Sequence, residues 1–167
     1  RTGALSVLRD GLAATPELTG VLHLAGPDAL SRADLAMMTA RRHGWDTSRL
    51  RLGTMVSPAT FRHPSVLAKS VVTVDQISGG RVELGIGAGW WEREHEAYGF
   101  ELPPIGVRMD VLEEQLQLIG MQWEEGPFSL EGRYYGAEDL DAQPKPVQQP
   151  RPPLILGAKG GPRSVRL

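Results

Sequence analysis

Cysteine is absent from the 167 residues. That removes disulfides and thiolate metal sites and leaves the compartment open. No His-x-x-x-His pair and no carboxylate cluster stands in for them, so no metal site is expected. No apolar run approaches the roughly 18 residues that a membrane-crossing helix requires. Residues 1–25 carry Asp10 and Glu17 and lack the apolar stretch of a secretory leader. An excess of charge is missing too: 18 Lys and Arg stand against 20 Asp and Glu, net −2, which gives no field to recruit nucleic acid or an anionic membrane. The expectation is a cytoplasmic protein that acts on a small molecule, with no nucleic-acid or membrane partner and with homo-oligomerisation allowed. The length suffices for one domain with a real core. The chain begins at Arg1 rather than Met and stops just after GGPRSVRL; both ends read as cut, and a fragment is expected.

What is present alternates between helical and strand patterns. Leu5, Leu8 and Leu12 fall at helical spacing in residues 4–14, and GVLHLAG (20–26) reads as a short strand. SRADLAMMTARRHG follows as a helix, with Ser31 as N-cap, Asp34 in capping-box position, Leu35, Met38 and Arg42 on a short stripe, and Gly44 as the stop. RLRLGTMV (49–56) alternates and then turns apolar, as a buried parallel strand does. Pro64 suits a first helical turn. The helix after it is predicted to bury Leu67, Val71, Val74 and Ile77 and to stop at SGG (78–80). VELGIGAG (82–89) is the next strand, so the unit is strand, helix, parallel strand. Leu112, Leu116, Ile119 and Trp123 lie on one face of an amphipathic helix, with Glu113, Glu114, Glu124 and Glu125 on its wet face. PFSLEGRYYG (127–136) reads as a hairpin turned at Glu131 and Gly132. QPKPVQQPRPP (143–153) has five prolines in eleven residues and must run extended. PLILG (153–157) is a buried strand, and AKGGPR opens a helix. The class is α/β, and no internal repeat is present.

Three stretches carry candidate chemistry. Strand ends built from small residues leave backbone room for a flat ligand. The first stretch is Gly53 to Pro58, where the Ser57 hydroxyl could bond such a ligand; the alternative is an ordinary buried strand end. The second is GIGAGW (85–90). Three alternating glycines weaken a strand unless something needs the space, and the run continues into Trp90 and Trp91 rather than completing G-x-G-x-x-G, so it is no dinucleotide fingerprint. The third is GAKGGPR (157–163), a strand, a glycine pair and a helix start that favour an anion, or a plain loop. His63 reads as a cap for the helix after Pro64, and Glu92, Glu94 and Glu96 as a solvated rim around His95.

The strings RLRLGTMVSPATFRHP, SGGRVELGIGAGW, EREHEAYG, PKPVQQPRPP and PLILGAKGGPR resemble, in that order, the luciferase-like monooxygenases that use flavin or the deazaflavin coenzyme F-420. The resemblance spans residues about 47–167. It implies a (β/α)₈ barrel with its site at the carboxyl ends of the strands, of which this chain supplies about strands three to five, the first two and last three being missing. It implies a bulge after Gly53, often with a non-prolyl cis peptide, against the cofactor ring. By the same analogy, Thr54, Met55, Ser57, Ala88, Gly89 and Trp90 contact the cofactor, with Trp91 at the mouth. Gly160, Gly161 and Pro162 hold its phosphate, with Lys159 or Arg163 nearby. The cofactor is FMN or F-420, the chemistry is monooxygenation or hydride transfer, and no catalytic residue is singled out. Many members of the family have a polar residue where this chain has Trp91.

Residues 1–50 differ. GVLHLAGPDALSRADLAMMTARRHGWD resembles the C-terminal part of dTDP-4-dehydrorhamnose reductases, NADPH-dependent extended short-chain dehydrogenases. That family's glycine-rich loop and Tyr-x-x-x-Lys pair do not occur here. The expected organisation is therefore a reductase-like fragment over 1–50 and a luciferase-like fragment over 51–167, fused near TSRLRLGT (47–54). The expected activity is that of a luciferase-like oxidoreductase, with a chain of this extent inactive alone. The alternatives are a reductase remnant and a non-functional fusion product.

Overall fold

The computed structural model describes residues 38–167. The chain divides into two compact units, Arg1–Leu50 and Arg51–Leu167. In the first unit, residues 38–42 are helical and turn out at Gly44, whose φ is 67°. A short 3₁₀ turn follows at Thr47–Arg49, where the Asp46 carboxylate accepts from the Ser48 amide at 2.9 Å. The helix over 4–14, the strand over 20–26 and the Ser31, Asp34 and Leu35 positions lie outside the described residues.

The second unit is built on a parallel sheet. Its strands are β1 (Leu52–Gly53), β2 (Ser57–Pro58), β3 (Val82–Gly87) and, after a hairpin of β4 (Phe128–Glu131) and β5 (Gly136–Leu140), β6 (Leu154–Gly157). The helices are α1 (Pro64–Ser78), α2 (Glu92–Tyr98), α3 (Ile105–Trp123) and α4 (Pro162–Arg166). β3 is central. It pairs in parallel with β1 and β2 and, through Leu84↔Leu154 to Gly87↔Gly157, with β6. The described residues form an α/β fold with a parallel sheet and a separate antiparallel hairpin, not a closed barrel.

β1 and β2 are the two halves of one interrupted strand. From Leu52↔Val82 to Ser57↔Ile86 the first chain advances five residues while β3 advances four. One extra residue is therefore accommodated at 54–56, which is a β-bulge. The expected continuous strand over 49–56 is broken there, and the Met55-Val56 peptide is cis. Thr54 Oγ1 donates to the Gly85 carbonyl at 2.6 Å and ties the bulge to β3.

β3 shows why a strand can carry alternating glycines. Side chains alternate between its faces. Val82, Leu84 and Ile86 point to one side and are buried with Leu67, Ala68, Val71 and Val72 of α1 and Leu112, Ile119 and Trp123 of α3. On the other face, a Cβ on Gly85 would lie 1.9 Å from the Thr54 carbonyl oxygen and 2.9 Å from Val56 Cγ1. Val56 also crowds the Cβ positions of Gly87 and Gly157, at 3.1 and 2.5 Å. The space that the glycines leave is filled first by the protein's own valine.

Pro64 opens α1, His63 Nδ1 accepts from the Ser65 amide at 3.2 Å as its cap, and Gly79 closes it. Its buried stripe is Pro64, Leu67, Ala68, Val71, Val72 and Asp75. Val74 and Ile77 are exposed, at 39% and 82%. Taking every large apolar residue tilts the predicted stripe off the true one, because position 75, an aspartate, is the fully buried one. Val147 and Gln148 donate their amides to Asp75 Oδ2 at 2.7 and 3.0 Å, and Gln148 Nε2 donates to Oδ1 at 2.7 Å. The proline-rich connection is thus held along α1 by one carboxylate.

The hairpin turns differently from expectation. Glu131 is still in β4, opposite Gly136, and the loop is 132–135. Glu114 accounts for this. Its Oε1 accepts from the Arg133 amide and its Oε2 from the amides of Tyr134 and Tyr135, at 2.7 and 3.0 Å. It is an anchor for the loop rather than part of a wet face. Glu114→Ala is expected to abolish hydrogen-exchange protection at residues 133–135 and to cost about 2 kcal/mol, since bonds to an ionised acceptor are worth roughly 1.5–3 kcal/mol. Native-state exchange read by NMR measures both.

Candidate functional site

A cavity of about 680 Å³ opens beyond the carboxyl ends of β2, β3 and β6. This is the end at which parallel α/β sheets place ligands, and the size falls in the range of roughly 300–1,000 Å³ of small-molecule sites. The bulge supplies Met55 and Val56, the loop after β3 supplies Ala88, Gly89, Trp90 and Trp91, and the loop after β6 supplies Ala158, Lys159, Gly161 and Pro162. The three stretches singled out in the sequence therefore meet in one place. Thr54, Ser57 and Gly160 do not line it. Thr54 is turned into the sheet by its bond to Gly85, Ser57 is buried opposite Ile86 with its hydroxyl unpartnered, and Gly160 takes the turn at φ 75° that delivers Gly161.

The fourth wall is the start of α3, with Ile105, Arg108, Met109 and Leu112. The helical face predicted from the sequence begins at Leu112. Carried back by three, four and seven residues, the same spacing reaches Met109, Arg108 and Ile105, so the signal was present. Arg108 Nε donates to the Pro103 carbonyl at 2.7 Å and its Nη1 to the Gly89 carbonyl. Arg108 thereby fixes the loop after β3 from the helix side.

Gly89 is fixed from below as well. Its φ is 79°, and a Cβ there would lie 3.1 Å from Thr60 Oγ1 and 3.4 Å from His95 Nε2. His95, 1% exposed, bonds the Trp91 carbonyl through Nδ1 at 2.8 Å and Thr60 Oγ1 through Nε2 at 2.7 Å. A carbonyl only accepts, so the Nδ1–H donates to Trp91, and Nε2 and the Thr60 hydroxyl share the second bond. His95 is thus a buried strut under the glycine loop rather than part of the rim.

The charges divide unevenly. Arg163 donates to Asp110 Oδ1 and Glu113 Oε2, each at 2.7 Å. Its hydrogen bonds to Glu113 and then to Asp110 raise its pKa above the ordinary arginine value, so it stays charged and matched. Lys159 is exposed, with no carboxylate or carbonyl against it among the described residues. Of the two cations near the glycine pair, Lys159 is the one available to a ligand. α4 has five residues and basic Arg163 and Arg166 in its last turn, so an anion here depends on Lys159 and the loop rather than on a long helix dipole.

A parallel sheet whose loops close an apolar cavity with one uncommitted cation defines a small-molecule α/β site. The sequence pattern of the Luciferase-like monooxygenase family matches residues 32–167, and the chain belongs to that family. It is 37% identical over 117 residues to an F420-dependent glucose-6-phosphate dehydrogenase of Amycolatopsis mediterranei, covering 70% of this chain and 34% of that one. It is 30% identical over 120 residues to an FMNH(2)-dependent dimethylsulfone monooxygenase of Pseudomonas putida, covering 72% and 32%. The structure superposes on monooxygenase RslO1 from Streptomyces bottropensis with a TM-score of 0.61 and 26% identity, covering 71% of this chain and 35% of that one. The chain spans about a third to two fifths of the length of the curated relatives it matches. The family match reaches back to residue 32, inside the stretch whose residues resemble the reductases, and no finding supports a reductase-like segment. Flavin- and F420-linked oxidoreductase chemistry is therefore the family's.

Proposed function

We propose that this chain forms one side of a flavin or deazaflavin site in a luciferase-like oxidoreductase. Its β1–β2, β3 and β6 then correspond to about the third to fifth strands of a (β/α)₈ barrel. The observation that carries the reading is the convergence of Met55, Ala88, Gly89, Trp90, Gly161 and Pro162 on one cavity. The residues fit such a group. Ala88 and Gly89 present backbone where a planar ring can approach, and Lys159 beside Gly161 offers a positive partner to its phosphate. FMN supplies oxygen activation when bound, and F-420 supplies hydride transfer. The chain's own part is to orient the ring on the glycine loop, to hold that loop through Arg108 and His95, and to keep water away with Met55, Met109 and Leu112. Relatives with either cofactor match at comparable coverage, and the GAGW…EREHEAYG pattern favours F-420.

Titration with FMN and with F-420, followed by absorbance and fluorescence, tests this. Saturable binding at micromolar ligand is expected for one of them. Lys159→Ala should weaken it about fivefold, since an exposed charge contact contributes about 1 kcal/mol. Saturation by neither below millimolar would remove the reading. The second reading, a fused product without activity, is favoured by the outer edges of β1–β2 and β6, which pair with nothing among the described residues; open edges favour association. A non-cooperative melt together with no cofactor binding would support it.

A further inference from the structure

Once a cofactor phosphate has used Lys159, the described residues that line the cavity keep little to offer a second anion. Arg163 is neutralised by Asp110 and Glu113. On the remaining wall, Arg108 and Glu94 carry opposite single charges, and two of the Arg108 donors are committed to the carbonyls of Pro103 and Gly89. What the mouth does offer is flat and apolar. The rings of Trp90 and Trp91 stack with centroids 6.2 Å apart and planes 22° apart. Trp91 is 50% exposed, and Ile105 across the cavity is 58% exposed. The platform is held in place beforehand, since the Trp91 carbonyl is bound by the buried His95 ring, which also stacks edge-on against Phe61 at 4.9 Å. Large exposed apolar surface at a cavity mouth marks a recognition site, and aromatic faces bind flat partners by offset stacking.

We propose that the face this chain gives the site takes a planar, uncharged, largely apolar part of the substrate, stacked on Trp91. The inference rests on the cofactor reading for the assignment of Lys159. 2-Naphthol and 2-naphthalenesulfonate present the same ring system without and with a permanent charge, so anisotropy titrations of the two separate apolar recognition from anion binding. Each is titrated against the protein saturated with FMN or F-420, and against Lys159→Ala without cofactor. In both settings the naphthol should bind at least about tenfold more tightly than the sulfonate, and Trp91→Ala should weaken the naphthol by roughly five- to tenfold. Because the Lys159→Ala arm contains no cofactor, a naphthol preference there upholds the substrate class even where neither cofactor binds. Equal or tighter binding of the sulfonate in both settings, or binding of neither ring, overturns it. Circular dichroism of the Trp91→Ala protein separates a lost platform from a lost fold.

Discussion

Gly85→Ala is expected to destabilise the protein by about 3 kcal/mol or more, the upper end of overpacking costs, and to lower the Tm by roughly 10 °C. A Cβ at position 85 would lie 1.9 Å from the Thr54 carbonyl oxygen, and 3.0 Å from the carbonyl carbon. Both are backbone atoms of the bulge, which is itself tied to Gly85 by the Thr54 hydroxyl at 2.6 Å. Neither can rotate away as a side chain can. Relief requires moving the bulge, and with it Met55 and Val56 at the cavity wall. Cofactor affinity should fall together with stability. Gly106→Ala and Gly120→Ala on α3 are the controls, because a Cβ at either meets nothing within 4 Å. They should be neutral, or stabilising by about 0.5–1 kcal/mol through the lower entropy of the unfolded chain. Thermal melts of the three variants measure the contrast. Equal stability of Gly85→Ala and the original protein would mean that the bulge does not rest on β3.

Asp75→Ala should cost about 3–5 kcal/mol. The carboxylate is fully buried and accepts three hydrogen bonds. Its removal strands two amides and a side-chain amide, each of which costs roughly 1–3 kcal/mol when left unmade. Gln148 Nε2 keeps its second bond, to the Val82 carbonyl at 2.8 Å, which limits the loss. Asp75→Asn retains an acceptor and should cost about half as much. Urea unfolding gives the energies, and hydrogen exchange gives the location: the amides of Val147 and Gln148 should lose protection before the rest of the sheet. A global change with those two amides still protected would contradict the assignment.

Local periodicity carries the elements that sequence reading identified correctly. β3 alternates buried apolar residues with small or polar ones, and α3 repeats Leu112, Ile119 and Trp123 on one face, so both are legible in the pattern along the chain. The three loops of the site were legible because small residues at strand ends are costly without a reason. The contacts that cross the chain were not legible. Asp75 meets Gln148 across 73 residues, and Glu114 meets the hairpin loop across about twenty; neither aspartate nor glutamate announces such a partner. By its pattern Glu114 reads as solvent-facing, and the turn reads at Glu131 and Gly132. Hydrophobicity ranks Val74 and Ile77 above Asp75, although Asp75 is the buried one. The resemblance assigns Thr54 and Ser57 to the cofactor; the register of the bulged strand turns Thr54 to the Gly85 carbonyl and Ser57 to a buried place opposite Ile86, so neither lines the cavity. The glycines at 85 and 87 read as space that something needs, and Val56 fills it.

The extra residue between Leu52 and Ser57 has a consequence for how this segment can change. Side chains on a strand swap faces with every step, so a one-residue slip of residues 52–58 against β3 exchanges inside for outside along that segment. Ser57 would leave its buried place opposite Ile86, and Val56 would leave the three glycines it covers. Substitutions of similar size at 54–56 preserve that parity, whereas a one-residue change in length cannot. Drift in this stretch is therefore confined to swaps of side chain at constant length.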